Sequence, residues 1–192
     1  VSTVNFSSKE INFKIVYYGP ALSGKTTNLM RIYERLTQDR KGELVSLSTH
    51  EDRTLFFDFF PLELGEIQGF KTRFHMYTVP GQVYYEASRR IVLSGADGVV
   101  FVADSDREKR NENVESIRGM LKNMSSYGLH PQDVPITLQY NKRDLVDIMS
   151  MEELDDDLRK DDWPRFEAVA VKGEGVLDTI RETMKAVLRR FS

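Results

Sequence analysis

The sequence predicts an α/β fold, a mostly parallel six-stranded sheet with one antiparallel edge strand and helices on both faces. Three observations predict it. Apolar, β-branched runs alternate along the chain with stretches whose apolar residues recur at helical spacing. One pair of strand-like runs is joined by a short glycine-containing segment, which demands an antiparallel hairpin, while helix-length stretches elsewhere suit parallel crossovers. No repeat, low-complexity stretch or composition shift divides the chain, so residues 1–192 are expected to form a single domain.

The elements follow in order. Residues 12–18 form an apolar and aromatic run that reads as a buried strand and stops at Gly19-Pro20. After Gly24, the residues Leu29, Ile32, Tyr33 and Leu36 fall at i, i+3, i+4 and i+7, the stripe of a helix. Residues 55–64 and 71–79 read as a hairpin turning around Gly65 and Gly69. The unbroken apolar run 98–103 is a central strand. Val114, Ile117, Leu121 and Met124 mark the buried face of a long helix, and residues 134–140 another strand. An acidic helix over 151–158, a last strand over 166–171 and a helix marked by Val176, Ile180, Met184, Val187 and Leu188 complete the chain. The acidic clusters Asp155 to Asp157 and Asp161-Asp162 are expected to be solvated faces.

Two motifs carry chemistry. The run Gly19-Pro20-Ala21-Leu22-Ser23-Gly24-Lys25-Thr26 matches G-x-x-x-x-G-K-[ST] between a strand and a helix start. Backbone N–H groups of such a loop converge on an anion, and the helix dipole adds partial positive charge. Residues from Gly19 to Thr27 are therefore candidates for a phosphate cradle, with Lys25 reaching the β- and γ-phosphates and the Thr26 hydroxyl ligating Mg²⁺. The second motif, Asn141-Lys142-Arg143-Asp144, is N-K-x-D. A lone tetrapeptide of this kind is commonly just a charged loop. Here it follows a strand, at the end where open α/β sheets bind ligands. A carboxylate at Asp144 can accept from the N1–H and 2-amino group of guanine, whereas adenine would leave it desolvated and unpaired. Asn141 is expected to brace the phosphate loop and touch the purine, and the stem of Lys142 to lie against the base. Together the motifs predict a site for GTP or GDP with Mg²⁺.

Composition sets limits. Lys plus Arg is 27 and Asp plus Glu is 30, a net charge of −3, which argues against a nucleic-acid binder working by bulk charge. The absence of cysteine excludes disulfides, thiolate metal sites, catalytic thiols and prenyl or palmitoyl anchors. The first residues offer no glycine for myristoylation and no signal peptide, and no apolar run is long enough to span a bilayer. The expectation is a cytoplasmic monomer with no direct membrane anchor, placed at a membrane or cell pole only through partners.

With these motifs the chain resembles the Ras-like P-loop small GTPases, and within them the bacterial MglA group of polarity and gliding-motility GTPases. The resemblance rests on Tyr17-Tyr18-Gly19-Pro20, on Arg53-Thr54 with the apolar run to Asp58, and on Tyr77-Thr78-Val79-Pro80-Gly81-Gln82. Ordinary Ras-like proteins carry Asp where this chain has Thr78, a replacement that marks the MglA type. The resemblance implies that Gln82, after Gly81, orients the attacking water. It implies that Thr54 closes over the second side of Mg²⁺, and that Arg53 supplies a transition-state arginine from the same chain, with Glu51 and Asp52 beside it. It places Ala170 and Val171 at the loop that contacts the guanine carbonyl. Ala21 departs from the usual Gly and is expected to leave binding intact while slowing hydrolysis. The implied partners are an MglB-type roadblock-domain dimer that stimulates turnover and polarity or motility effectors. The aromatic stretch 55–60 has apolar residues on both faces, so one face is expected to meet such a partner. The segments 53–64 and 78–90 are expected to change shape with the nucleotide. His50, His75 and His130 have no metal-like spacing and are read as structural or exposed. The alternative is a scaffold that holds nucleotide with negligible turnover; an ATP-using P-loop kinase is disfavoured by Asp144 and Gln82.

Overall fold

A computed structural model describes residues 3–36, 45–46, 58–79, 86–159 and 162–191. Its sheet runs in the order β3-β4-β5-β2-β6-β7-β8, where β2 is Glu10–Tyr18, β3 Val45–Ser46, β4 Asp58–Ile67, β5 Phe70–Thr78, β6 Gly98–Asp104, β7 Ile136–Asn141 and β8 Arg165–Glu167. β2, β5, β6, β7 and β8 are mutually parallel, and β4 runs antiparallel to β5. The six expected strands are β2 and β4 to β8. Two short ones join them: β3, and β1 (Thr3–Asn5), antiparallel to the first residues of β2. β5 occupies one edge of β2 throughout and β6 takes up the other only from Ile15, so residues 10–12 keep backbone groups that β1 satisfies.

Alternation along the central strands divides the core between two layers. Ile15 and Tyr17 of β2 and Val100 and Val102 of β6 face α1 (Lys25–Arg35) and α5 (Val176–Phe191), burying Leu29, Ile32, Val176, Ile180 and Val187. Val16 and Tyr18, with Val99, Phe101 and Ala103, face α3 (Arg110–Ser126) and α4 (Met151–Leu158), burying Ile117, Met120, Met124, Leu154 and Leu158. β6 and β7 are buried at every position, as strands covered on both faces must be. α4 begins with a reciprocal capping box between Ser150 and Glu153, worth about 1 kcal/mol for a helix of this kind.

Four expectations are corrected. The hairpin turns at Gln68-Gly69 alone, closed by the Ile67–Phe70 pair, with φ of 50° and 81° at the two turn residues, the twist that a two-residue hairpin loop requires. Gly65 lies inside β4, where Leu64 and Gly65 stand opposite Thr72 as a bulge that absorbs one extra residue. The last strand is only Arg165–Glu167; the chain then curls into a 3-10 turn, Ala170–Lys172, because Ala168 pairs with Tyr140 and the Ala170 N–H turns towards the Asn141 side chain. Residues 155–157 are more than solvated: Asp155 accepts from the Tyr140 hydroxyl and pairs with Arg165, and Asp157 pairs with Arg110. Asp162 is exposed, as expected. An unforeseen helix, α2 (Glu86–Leu93), buries Val92, Leu93 and the Arg89 side chain, whose guanidinium lies 5.9 Å from the Tyr18 ring centre. His75 is half-buried against Asn12 and His130 is exposed, while His50 lies outside the described residues.

Candidate functional site

β2, β6 and β7 end on the same side of the sheet, and the segments that leave them form a cleft. About 320 Å³ in volume, it is lined by Leu22, Gly24, Thr27, Asn141, Lys142, Asp144, Leu145, Ala170 and Val171. The two sequence motifs, more than a hundred residues apart, thus meet in one place.

The loop between β2 and α1 has little freedom. Gly19 has φ of 146°, and a Cβ there would fall 2.2 Å from the Val102 carbonyl oxygen. Gly24 has φ of 101°, and a Cβ there would fall 2.2 Å from Asn141 Nδ2. Both positions are therefore closed to other residues. Leu22 between them is also left-handed, at φ 60°, and its side chain is 84% exposed. Strain of this kind, about 1–3 kcal/mol for a non-glycine residue, gathers at ligand sites. Lys142 repeats it across the cleft at φ 65°. α1 starts at Gly24 without a side-chain cap and without an acidic residue in its first turn, the arrangement that suits an anion.

Polar groups point the same way. The Ser23 hydroxyl is fully buried and meets no hydrogen-bond partner among the described residues. Buried Lys25 folds back on its own loop, donating from Nζ to the carbonyls of Gly19 at 3.0 Å and Pro20 at 2.6 Å. A phosphate oxygen offered there is a stronger acceptor than a neutral carbonyl. Thr26 is exposed at the helix start, and Ala21 is half-buried in the turn. Phosphate groups therefore fit this loop.

The opposite wall is built by bracing. Asn141, buried, donates from Nδ2 to the Ser23 carbonyl at 2.8 Å and accepts the Ala170 N–H on Oδ1 at 2.9 Å. One side chain thus ties the phosphate loop to the 3-10 turn, and the Ala170 N–H is engaged within the protein. Lys142 is held by the buried Asp104 carboxylate, 2.5 Å from its Nζ, which stretches its stem along the cleft. The exposed Asp144 carboxylate meets no cation or donor among the described residues. Arg143, unspecified in the motif, donates to the Met149 carbonyl and to Glu167, closing the loop behind Asp144. Arg107 adds a strap from the other side, reaching Asp147, the Ile148 carbonyl and Glu153. Neither Arg143 nor Arg107 was legible as a site residue, because each works through partners distant in sequence.

Arg53, Thr54, Gly81 and Gln82 lie outside the described residues, as do residues 55–57 of the aromatic stretch. Thr78 is buried at the end of β5. Among the described residues no cluster of three His, Asp or Glu could hold a metal ion. A magnesium ion here would draw on the Thr26 hydroxyl, Thr54 and the nucleotide's own phosphates, the donor set that this hard cation accepts. Among the described residues no helix is long and apolar enough to cross a membrane.

Comparison with known proteins places the chain in a family. Residues 2–187 match the ADP-ribosylation factor family. The chain is 54% identical over 188 residues to the mutual gliding-motility protein MglA of Myxococcus xanthus (strain DK1622), covering 98% of this chain and 96% of that protein. It is 24% identical over 198 residues to ADP-ribosylation factor-like protein 6 of Caenorhabditis elegans, covering 99% of this chain and 93% of that one.

Proposed function

Because the chain belongs to the ADP-ribosylation factor family of small GTPases, we propose that it is an MglA-type switch for gliding motility and cell polarity, operating in the cytoplasm through partners. As a member of that family it binds guanine nucleotide and hydrolyses GTP. The observation that carries the assignment of residues is the single cleft in which the phosphate loop and the N-K-x-D loop are braced together by Asn141.

In this reading the cradle from Gly19 to Thr27 takes the phosphates. Lys25 exchanges its loop carbonyls for the β- and γ-phosphate oxygens, and the unpartnered Ser23 hydroxyl lies against the same loop. Asp144 accepts the donor edge of guanine. Leu22, Leu145, Val171 and the stem of Lys142 enclose the base. Ala170 and Val171 stand at its carbonyl edge. Thr26 and Thr54 hold Mg²⁺, which neutralises charge on the β- and γ-phosphates when bound. Gln82 orients water, and Arg53 stabilises the transition state from within the chain. An MglB-type roadblock dimer stimulates turnover by positioning Arg53 and Gln82.

Single-turnover hydrolysis tests the reading. The purified chain should bind GDP and not ADP. It should hydrolyse GTP slowly, near the 10⁻⁴ s⁻¹ order of small GTPases without a placed arginine, lose that activity in EDTA, and gain rate with the roadblock partner. Equal binding of ADP would refute the base assignment; a rate indifferent to Mg²⁺ would refute the metal.

A further inference from the structure

β7 is buried on both faces, yet the face it turns towards α1 and α5 is polar: Thr137, Gln139 and Asn141. Asn141 is the brace described above. Two residues earlier, Gln139 forms a reciprocal amide pair with Asn28 of α1. Asn28 Nδ2 donates to Gln139 Oε1 at 2.7 Å, and Gln139 Nε2 donates to Asn28 Oδ1 at 2.9 Å. The second hydrogen of Asn28 Nδ2 goes to the Gly24 carbonyl at 2.9 Å, and that of Gln139 Nε2 to Thr179 Oγ1 on α5 at 2.9 Å. Thr179 passes its own hydrogen to the Gly175 carbonyl at 2.7 Å. Every donor hydrogen of the three side chains has an acceptor, and all three residues are 0% exposed.

We infer that the Asn28–Gln139 pair is a second clamp on the nucleotide, one that fixes the phosphate loop to the strand carrying the base motif and so slows nucleotide release. The inference rests on the nucleotide reading of the cleft. A hydrophobic pair would fill this space equally well, but its contacts have no direction. Amide hydrogen bonds in a dry interior fix distance and angle together. Gly24 is the residue held, and it is the hinge between the loop and α1: its carbonyl takes both the backbone N–H and the side-chain amide of Asn28. Asn28 and Gln139 touch no part of the cleft surface, so they act as positioning residues.

The test separates packing from positioning. Removing either amide leaves its partner buried and unsatisfied, so Asn28→Leu and Gln139→Val should each lower the melting temperature. The double variant Asn28→Leu/Gln139→Val replaces both by apolar groups and should regain most of that loss. Its release of a fluorescent GDP should nevertheless remain about tenfold faster than the parent's, the order expected from losing a buried hydrogen-bonded link. A double variant that regains stability and releases GDP at the parent's rate would overturn the clamp. Should the double variant not fold, Asn28→Leu decides: faster release supports the clamp and an unchanged rate overturns it. A parent chain that holds no GDP overturns the nucleotide reading itself, and the clamp with it.

Discussion

Asp144 shows how one side chain can be placed by its neighbours and left without a partner of its own. Arg143 beside it is tied to Met149 and Glu167, and Lys142 to Asp104, while the Asp144 carboxylate meets no described donor. An exposed carboxylate costs little in water, so the arrangement is stable without ligand; in the proposed role its discrimination would arise only when a base desolvates it. Asp144→Asn should therefore weaken GDP binding by at least about a hundredfold, since a site built for a hydrogen-bonding edge rejects the mismatch strongly. The amide can instead donate to the second carbonyl of xanthine, so affinity for XDP should rise. Titration of the variant with fluorescent GDP and XDP measures both; unchanged GDP affinity would place the base elsewhere.

At the level of elements, the loop carrying Asp144 is held between α3 and α4. Arg107 joins the start of the α3 segment to Glu153 in the first turn of α4, and Glu153 also accepts the Ser150 N–H. The Arg107 hydrogen bonds, with that N–H second, hold the Glu153 carboxyl down from 4.5 to about 2. A carboxyl whose folded value is depressed favours the folded state most fully above its unfolded value. That contribution fades as pH falls from about 4.5 towards about 2, where the folded form too takes up its proton. The melting temperature of Arg107→Ala should thus lie below the parent's at pH 6, and the gap should narrow as pH falls to 3. The gap should also shrink in high salt, because this pair is exposed. A gap constant from pH 6 to pH 3 would show that the strap works by packing and not by charge.

Across the molecule as a whole, the segments that line the cleft are braced to one another. The phosphate loop, β7 and the 3-10 turn are cross-linked through buried amides. The residues proposed for hydrolysis, Arg53 and Gln82, belong to the sequence segments before β4 and before α2. Binding and turnover should therefore separate on mutation. Arg53→Ala and Gln82→Ala should each leave GTP affinity nearly unchanged while removing most of the partner-stimulated rate. Their effects should not add, because both serve one transition state. Stimulated single-turnover hydrolysis of the two single variants and the double measures this. An Arg53→Ala protein stimulated like the parent would assign the arginine to the partner.

The sequence by itself determined the α/β class, the order of the main elements and the residues of both nucleotide motifs, because each depends on short-range facts. A glycine at φ 101°, a stripe at helical spacing and an apolar run of buried length all leave local marks. What only the tertiary structure decided was how those pieces are held. The hairpin turns at Gln68-Gly69 and not at Gly65, since the register is set by which residues pair across the sheet. The last strand stops at Glu167 because the chain must curl to bring Ala170 under Asn141. Gln139 reads as a polar interruption in an apolar strand, and Asn28 as an ordinary residue of a helix; they become a pair only when β7 is laid beside α1. Hydrogen bonds between side chains 111 residues apart leave no periodicity in either segment. Such bonds exist only after the elements have packed, and burial then makes each partner depend on the other.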